Sequence, residues 1–252
     1  MDKNELNNWL ETLPKNWFKK RVKHILFEIN EKSETGDEEL LSLSQYTGVE
    51  LKKNKLKDAN DNLTNAKSLV GYKKVLKNHL VSNIMLAWNG SVAVSSYDGI
   101  ISPAYCVYKF REGYNPKFFE YLFKTEIYKA EFKRRSTGII ESRLRLYSDK
   151  FYNVPIVIPD LDTQNEIVNF IDLKKKQVSK IVAYNSLIFG KTNPKTGFLQ
   201  EYINAIIISA ISGKVSTKIN SEEIDLDHDE LYQSLSSKLS HVDAVENEEI
   251  EE

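Results

Sequence analysis

The apolar positions follow two different rhythms along this chain. Up to about residue 159, short apolar runs alternate with turn residues; beyond it, apolar positions recur at helical spacing. In the first part, "NELNNWLETLP" predicts a short helix ending before Pro14, which cannot continue it. "LLSLSQYTGV", "NHLVSNIMLAW", "SVAVSSYDG", "IISPAYCVYKF" and "YNVPIVIP" predict strands, with turns at Asn89-Gly90 and Asp98-Gly99. Between them, "PKFFEYLFKTEIYKAEFKRR" has Phe119, Leu122, Phe123, Ile127 and Ala130 at the spacing of one helix face.

The rhythm changes inside "VPIVIPDLDTQNEIVNFI", residues 154–171. A β-branched run closes at Pro159, and Asp160 or Asp162 is placed to cap a helix. Its apolar residues Ile167, Phe170, Ile171, Val178, Ile181, Val182, Ile188 and Phe189 share a stripe about 120° wide, on which Lys174 and Asn185 also lie. About 25 residues of helix would be about 37 Å long, and one apolar stripe on it needs a partner helix. "GKTNPKTG", residues 190–197, interrupts it. A second helix, "FLQEYINAIIISAISG", carries a wider arc at Leu199, Tyr202, Ile203, Ile206, Ile207 and Ala210, with Gly213 placed to end it. The expectation is an α+β chain. A mixed α/β domain over 1–159 precedes long helices over 160–214 that form an antiparallel coiled-coil spacer, and 215–252 form an acidic tail. In that tail Asp227 and Glu230 suit a capping box, ahead of an apolar face at Leu231, Leu235, Leu239 and Val242.

Charge sharpens this picture. The formal net charge of −1 conceals an asymmetry: from Asn220 onward there are 12 acids against the single base Lys238, leaving 34 bases against 24 acids before it. A basic body with an acidic tail suits an anionic partner, nucleic acid first; a solvated surface is the plainer alternative. Cys106 is the only cysteine, so neither a disulfide framework nor a cysteine metal site is expected. No run approaches the roughly 20 apolar residues that span a bilayer, and "MDKNELNNWL" lacks the layout of a signal peptide. A cytoplasmic protein is expected.

Three stretches approach catalytic motifs without meeting them. "NSLIFGKT" resembles a phosphate-binding loop, but Asn185 replaces its first glycine and a helix precedes it where a strand is needed. Pro159-Asp160 followed by Asp172-Leu173-Lys174 matches a sparse nuclease pattern. Residues 172 and 174 of one helix point about 200° apart, however, and cannot converge on a metal. "YNPKFF" is similar to the N-P-P-[YF] loop of amino-methyltransferases, with Lys117 at the second proline and no glycine-rich nucleotide turn. His24, His79, His228 and His241 have no metal-ligand spacing. No catalytic residues, metal or cofactor are expected.

Taken in order, several segments resemble the DNA-specificity subunit of type I restriction–modification systems. They are "LPKNWFKKRV", "LLSLSQYTGV", "YKKVLKNHLVSNIMLAWNGSVAVSSYDGIISPAYCVYKF", "STGIIESRLRLYSDKFYNVPIVIPDLDTQNEIVNFID" and "LQEYINAIIISAISGKV", together covering residues 13–215. The resemblance implies a target-recognition domain passing into a spacer helix. It also implies a non-enzymatic role directing a separate adenine methyltransferase (modification) subunit and a restriction subunit to DNA. Members usually carry two such domains and two rods, so this chain resembles a half-length form. It departs in having Thr163 before Gln164, where the family usually has Glu-Gln, and in the break at "GKTNPKTG".

On this reading double-stranded DNA is the partner. Lys52, Lys53, Lys55, Lys73, Lys74, Lys133, Arg134 and Arg135 are the candidates for phosphate. Gln45, Tyr46, Asn89, Ser136, Thr137, Gly138, Arg143 and Arg145 are the candidates for base reading or close backbone approach. Ile167, Ile171, Val178, Ile181, Ile188, Tyr202 and Ile206 are candidates to join two copies as a homodimer. Two other readings stay open: a truncated fragment acting as an assembly or inhibitory module on a full-length subunit, and a nuclease using Asp160 and Asp172.

Overall fold

The computed structural model describes residues 5–55, 66–140, 143–189 and 195–217, without the side chains of 54–55 and 181–201. Contacts divide the chain into two units, residues 1–165 and 166–252.

The first unit is built on an antiparallel sheet of four strands in the order β2 (Leu26–Ile29), β9 (Tyr105–Phe110), β6 (Leu80–Asn83), β7 (Val92–Val94). Alternation along the strands sends successive side chains to opposite faces. Val107, Val81 and Ala93 stand opposite one another across β9, β6 and β7, on one face. That face is covered by two strand pairs: β3 (Leu41–Ser44) with β4 (Gly48–Leu51), and β5 (Lys73–Val75) with β8 (Gly99–Ile101). Leu41, Leu43, Val49, Val75 and Ile101 close this core with Val81, Ala93 and Val107.

Tyr108 and Phe110, the alternate residues of β9, belong to a core made of rings. Tyr108 meets Phe151 at 5.3 Å, Phe110 meets Phe119 at 5.5 Å, and Phe123 touches Phe119, Tyr128, Phe132 and Phe151. These rings come from α2 (Pro116–Phe123), α3 (Glu126–Arg135) and α4 (Ser148–Tyr152). α1 (Glu5–Glu11) adds Trp9 edge-on to Tyr128, and β1 (Phe18–Arg21) pairs antiparallel with β10 (Pro155–Ile158).

The α+β expectation holds, with four local corrections. "IISPAYCVYKF" is two strands in different sheets, β8 and β9, parted by a turn in which the Tyr105 N–H donates to the Ser102 carbonyl. "LLSLSQYTGV" is a hairpin rather than one strand, because Gly48 takes a left-handed φ of 79° after the turn at 45–47. The 116–135 segment is two helices. Thr125 is extended (φ −66°, ψ 150°) and its hydroxyl donates to the Leu122 carbonyl, which restarts the helix on a new face. Tyr128 and Phe132 are therefore buried, whereas Ile127 and Ala130 are only half-buried. Strands β1 and β5 are short and mostly basic, and β2 is only four residues long, so none of them stood out in the sequence.

The second unit contains most of α5 (Leu161–Phe189) and α6 (Lys195–Ile211). α5 starts as expected: the Thr163 N–H donates to Asp160 Oδ1 at 2.9 Å and its hydroxyl to Oδ2 at 3.1 Å. Gln164 is buried; its amide donates to the Pro159 carbonyl and its Oε1 accepts from the Asn115 N–H. The Asn115 side chain also accepts from the Lys117 N–H and donates to Asn165, so "YNPKFF" is a helix cap tied to the start of α5. Gly213 ends α6 in a left-handed turn (φ 66°), its N–H donating to the Ala210 carbonyl. The break at 190–194 and the tail from residue 218 lie outside the described residues, as does any test of how the two helices pair.

One buried titratable group gives a pH prediction. His79 accepts the Leu76 N–H at Nδ1, 3.1 Å away, and burial, helped by the Lys109 charge, holds its pKa below the ordinary histidine value. The unfolded chain therefore binds the proton more readily, so stability falls as pH drops below about 6.5 towards the folded pKa. Thermal melts between pH 7 and pH 5 should show this loss. His79→Asn, which keeps an acceptor but cannot titrate, should lose that part of the slope.

Candidate nucleic-acid interface

The chain brings three separate stretches to one edge of the first unit. The turn of the β3–β4 hairpin supplies Gln45 and Tyr46, and a short 3-10 turn at Ala87–Asn89 supplies Trp88 and Asn89. The Asn89 amide donates to Gln45 Oε1 at 2.6 Å, joining two of the expected base readers, and Tyr46 beside them is 84% exposed. Gly90 closes that turn at φ 85°; a Cβ there would lie 3.3 Å from Lys129 of α3. Lys133, further along α3, places its ammonium 5.2 Å from the centre of the Trp88 ring.

After α3 the chain forms a tight hairpin. Thr137 and Arg145 exchange both backbone hydrogen bonds at 2.9 Å, and the Leu146 N–H donates to the Ile84 carbonyl, tying the hairpin back to the segment before the 3-10 turn. Gly138, at φ 154°, is needed here, since a Cβ would sit 2.5 Å from the Arg143 carbonyl oxygen. The Ser136 hydroxyl donates to the Phe132 carbonyl, which leaves it as part of the helix end. Residues 133–138 and 143–145 are thus neighbours in space, tied through Leu146 to Ile84 ahead of the 3-10 turn, and Lys133 reaches the Trp88 ring of that turn.

Arg134 and Arg135, expected on phosphate, have a partner inside the protein. Arg134 Nε donates to Glu131 Oε2 at 2.6 Å and its second nitrogen to Oε1 at 2.7 Å; Arg135 Nε also donates to Oε1. Glu131 is buried. Burial pushes its carboxyl pKa up, but the two guanidinium groups outweigh this and hold it below the ordinary glutamate value. The three side chains carry a net charge of only +1, so this stretch attracts phosphate less than its sequence implies.

The other lysines gather elsewhere. Lys52 and Lys53 follow the Leu41↔Leu51 end of the hairpin, whereas Gln45 and Tyr46 lie beyond its Ser44↔Gly48 end; four residues of strand separate the two ends by about 10 Å. Lys53 pairs with Glu39 at 2.6 Å, Lys73 with Glu28 at 3.6 Å and Lys74 with Glu38 at 3.9 Å. The side chain of Lys55 lies outside the described residues.

Of the residues expected to join two copies, Ile167, Ile171 and Val178 are 1%, 0% and 7% exposed within the single chain. They cannot face a second copy as they stand, because the chain's own residues already cover that part of the stripe. Tyr202 and Ile206 are half-buried, and the side chains of Ile181 and Ile188 lie outside the described residues.

The sequence reading missed Trp88, Glu131, Ile139 and Ile140. Only the isoleucines left a signal, an apolar pair on no periodic face amid the polar "STGIIESRLR". Asp160, the proposed nuclease carboxylate, is engaged as the α5 cap. Among the described residues no group of three His, Cys, Asp or Glu could hold a metal ion, and no helix is long and apolar enough to cross a membrane.

No protein-family model matches this sequence, and no curated protein matches it either. Solved structures do. A chain from work on complex assembly and conformational transition of the type I R-M system aligns with a TM-score of 0.47 at 13% identity, over 83% of this chain and 51% of that one. The HsdS subunit from Thermoanaerobacter tengcongensis aligns with a TM-score of 0.45 at 16% identity, over 83% and 50%. The S subunit of a type I restriction–modification system from M. genitalium aligns with a TM-score of 0.42 at 10% identity, over 70% and 44%. The chain spans about half the length of these chains.

Proposed function

We propose that this chain is a non-enzymatic, sequence-specific DNA-binding subunit of a type I restriction–modification system. It carries one recognition domain and directs a separate adenine methyltransferase and restriction subunit to a bipartite target. The observation that carries the reading is the single edge that unites Gln45, Tyr46, Trp88, Asn89, Lys133 and the Thr137–Arg145 hairpin. It combines amide edges suited to base contacts, exposed aromatic surface and basic side chains. The ordered sequence resemblance over residues 13–215 supplies the class of system.

One such edge reads too few base pairs to find a site among the roughly 10⁶ or more competitors in a genome. Two copies related by a two-fold axis would read an interrupted palindrome. With Ile167, Ile171 and Val178 already covered within the chain, the joining surface would draw on α6, where Tyr202 and Ile206 are half-buried. Ile206→Asp should then turn a dimer into a monomer in light scattering and abolish specific binding with it.

Titration with duplex DNA at increasing salt tests the reading. The logarithm of affinity should fall steeply with the logarithm of salt, by about 0.9 units of slope for each phosphate contacted. Arg143→Ala should change the preferred sequence; the same preference at lower affinity would assign Arg143 to phosphate. Affinity that ignores salt would overturn the reading.

A further inference from the structure

The bond between Asn89 and Gln45 joins two side chains that water could serve equally well. Asn89 is exposed and Gln45 half-buried, so a bond between their amides adds little to stability. The backbones that present them are nevertheless firmly held. The Asn89 N–H donates to the Leu86 carbonyl at 2.9 Å, the Gly90 N–H to the Ala87 carbonyl at 3.0 Å, and the Trp88 ring nitrogen to the Met85 carbonyl at 2.9 Å. In the hairpin turn that carries Gln45, the Tyr46 N–H donates to the Ser44 hydroxyl at 3.2 Å. Side chains held in place before a ligand arrives lose less freedom on binding it.

The bond fixes which way round the Gln45 amide sits. Asn89 Nδ2 donates to Gln45 Oε1. Turned by 180°, the Gln45 amide would set its own NH2 against that of Asn89, donor against donor. Oε1 keeps a second lone pair, and Nε2 beside it keeps its hydrogens. Among the described residues neither group has another partner. Gln45 therefore offers a fixed acceptor next to a fixed donor.

One base complements that order. Adenine presents the N6 donor beside the N7 acceptor on its major-groove edge. Guanine presents two acceptors and thymine presents O4, so either would bring an oxygen against Oε1. Cytosine has a donor but no acceptor for Nε2. We propose that Gln45 reads an adenine in the major groove of the target, with Oε1 accepting from N6 and Nε2 donating to N7, and that Asn89 is its positioning residue. This inference rests on the DNA-binding reading above and adds to it the identity of one base.

The test uses the full chain and the duplex recovered by its selection from random-sequence DNA, with 7-deazaadenine replacing each adenine in turn. That base keeps its pairing and its N6 group but carries a C–H in place of N7. One adenine in each copy of the motif should lose about tenfold in affinity on replacement. With Gln45→Ala the same replacement should cost less than about twofold, since no donor is left without its acceptor. Selection with Asn89→Ala should admit guanine or thymine at that position, because the freed amide can turn its NH2 towards their oxygens. Both variants should melt at the temperature of the intact protein. A motif in which no adenine responds to the replacement, or one that responds equally with Gln45→Ala, overturns the assignment. Adenine retained as strictly with Asn89→Ala overturns the positioning role. A variant that melts well below the intact protein also counts against the proposal, because the pair would then be part of the scaffold. Binding that enriches no sequence would instead contradict the specificity reading, and the adenine assignment would fall with it.

Discussion

Phe123→Ala should lower the stability of the first unit by about 3–5 kcal/mol, the range for emptying a buried aromatic site. Phe123 is fully buried, and its ring meets those of Phe119, Tyr128, Phe132 and Phe151 at 5.4–6.0 Å. These neighbours come from three helices and cannot all collapse into the gap, which places the cost towards the upper end. The helix this ring holds, α3, carries Lys129 and Lys133 and leads into the Thr137–Arg145 hairpin. DNA binding should therefore weaken at temperatures where the unit as a whole is still folded. Urea unfolding followed by tryptophan fluorescence measures the first effect. A loss under about 1 kcal/mol would mean that the rings do not act as one cluster.

The second large effect is expected at Glu131. Its carboxylate, 5% exposed, is shared by Arg134 and Arg135, whose side chains are 35% and 21% exposed. Removing one member of a buried ionic group costs about 3–5 kcal/mol because the partners keep an uncompensated charge. Here the arginines are partly in water, so Glu131→Ala should cost about 2–4 kcal/mol. The carboxyl pKa is lowered in the folded chain. Its contribution is thus present above the ordinary glutamate range near pH 4.5 and is lost as pH falls through the folded value. Acid unfolding of the intact protein should show this extra loss, and Glu131→Gln should not. The same substitution frees two guanidinium groups beside the interface, so low-salt affinity for random duplex should rise where the variant is folded. Unchanged stability would show that the arginines are content in solvent.

What could be read in the sequence follows from which physical signals are local. The switch at Pro159 was visible because proline, a capping aspartate and a change of period coincide within a few residues. The Asn89-Gly90 turn was visible because glycine takes a left-handed φ there. The break at Thr125 was hidden: a threonine in extended conformation has no unique sequence mark, and the apolar spacing runs straight through it. β1, with sequence FKKR, pairs with β10 although it carries three bases, because β10 supplies the apolar residues. The candidate interface was half legible. Residue types near 133–145 suggested nucleic acid, but the Asn89–Gln45 bond spans 44 residues, and no local pattern reports such a distant pairing. The sequence showed Arg134 and Arg135 as free charge, because the burial of Glu131 is a tertiary fact.

Selection from a random-sequence duplex library, repeated with Asn89→Ala, is the most direct test that this edge reads DNA sequence. The intact chain should enrich a defined motif, repeated in inverted orientation across a fixed gap, and Asn89→Ala should relax one position in each half while leaving the gap unchanged. Binding that enriches no sequence, or the same motif from both proteins, would contradict it.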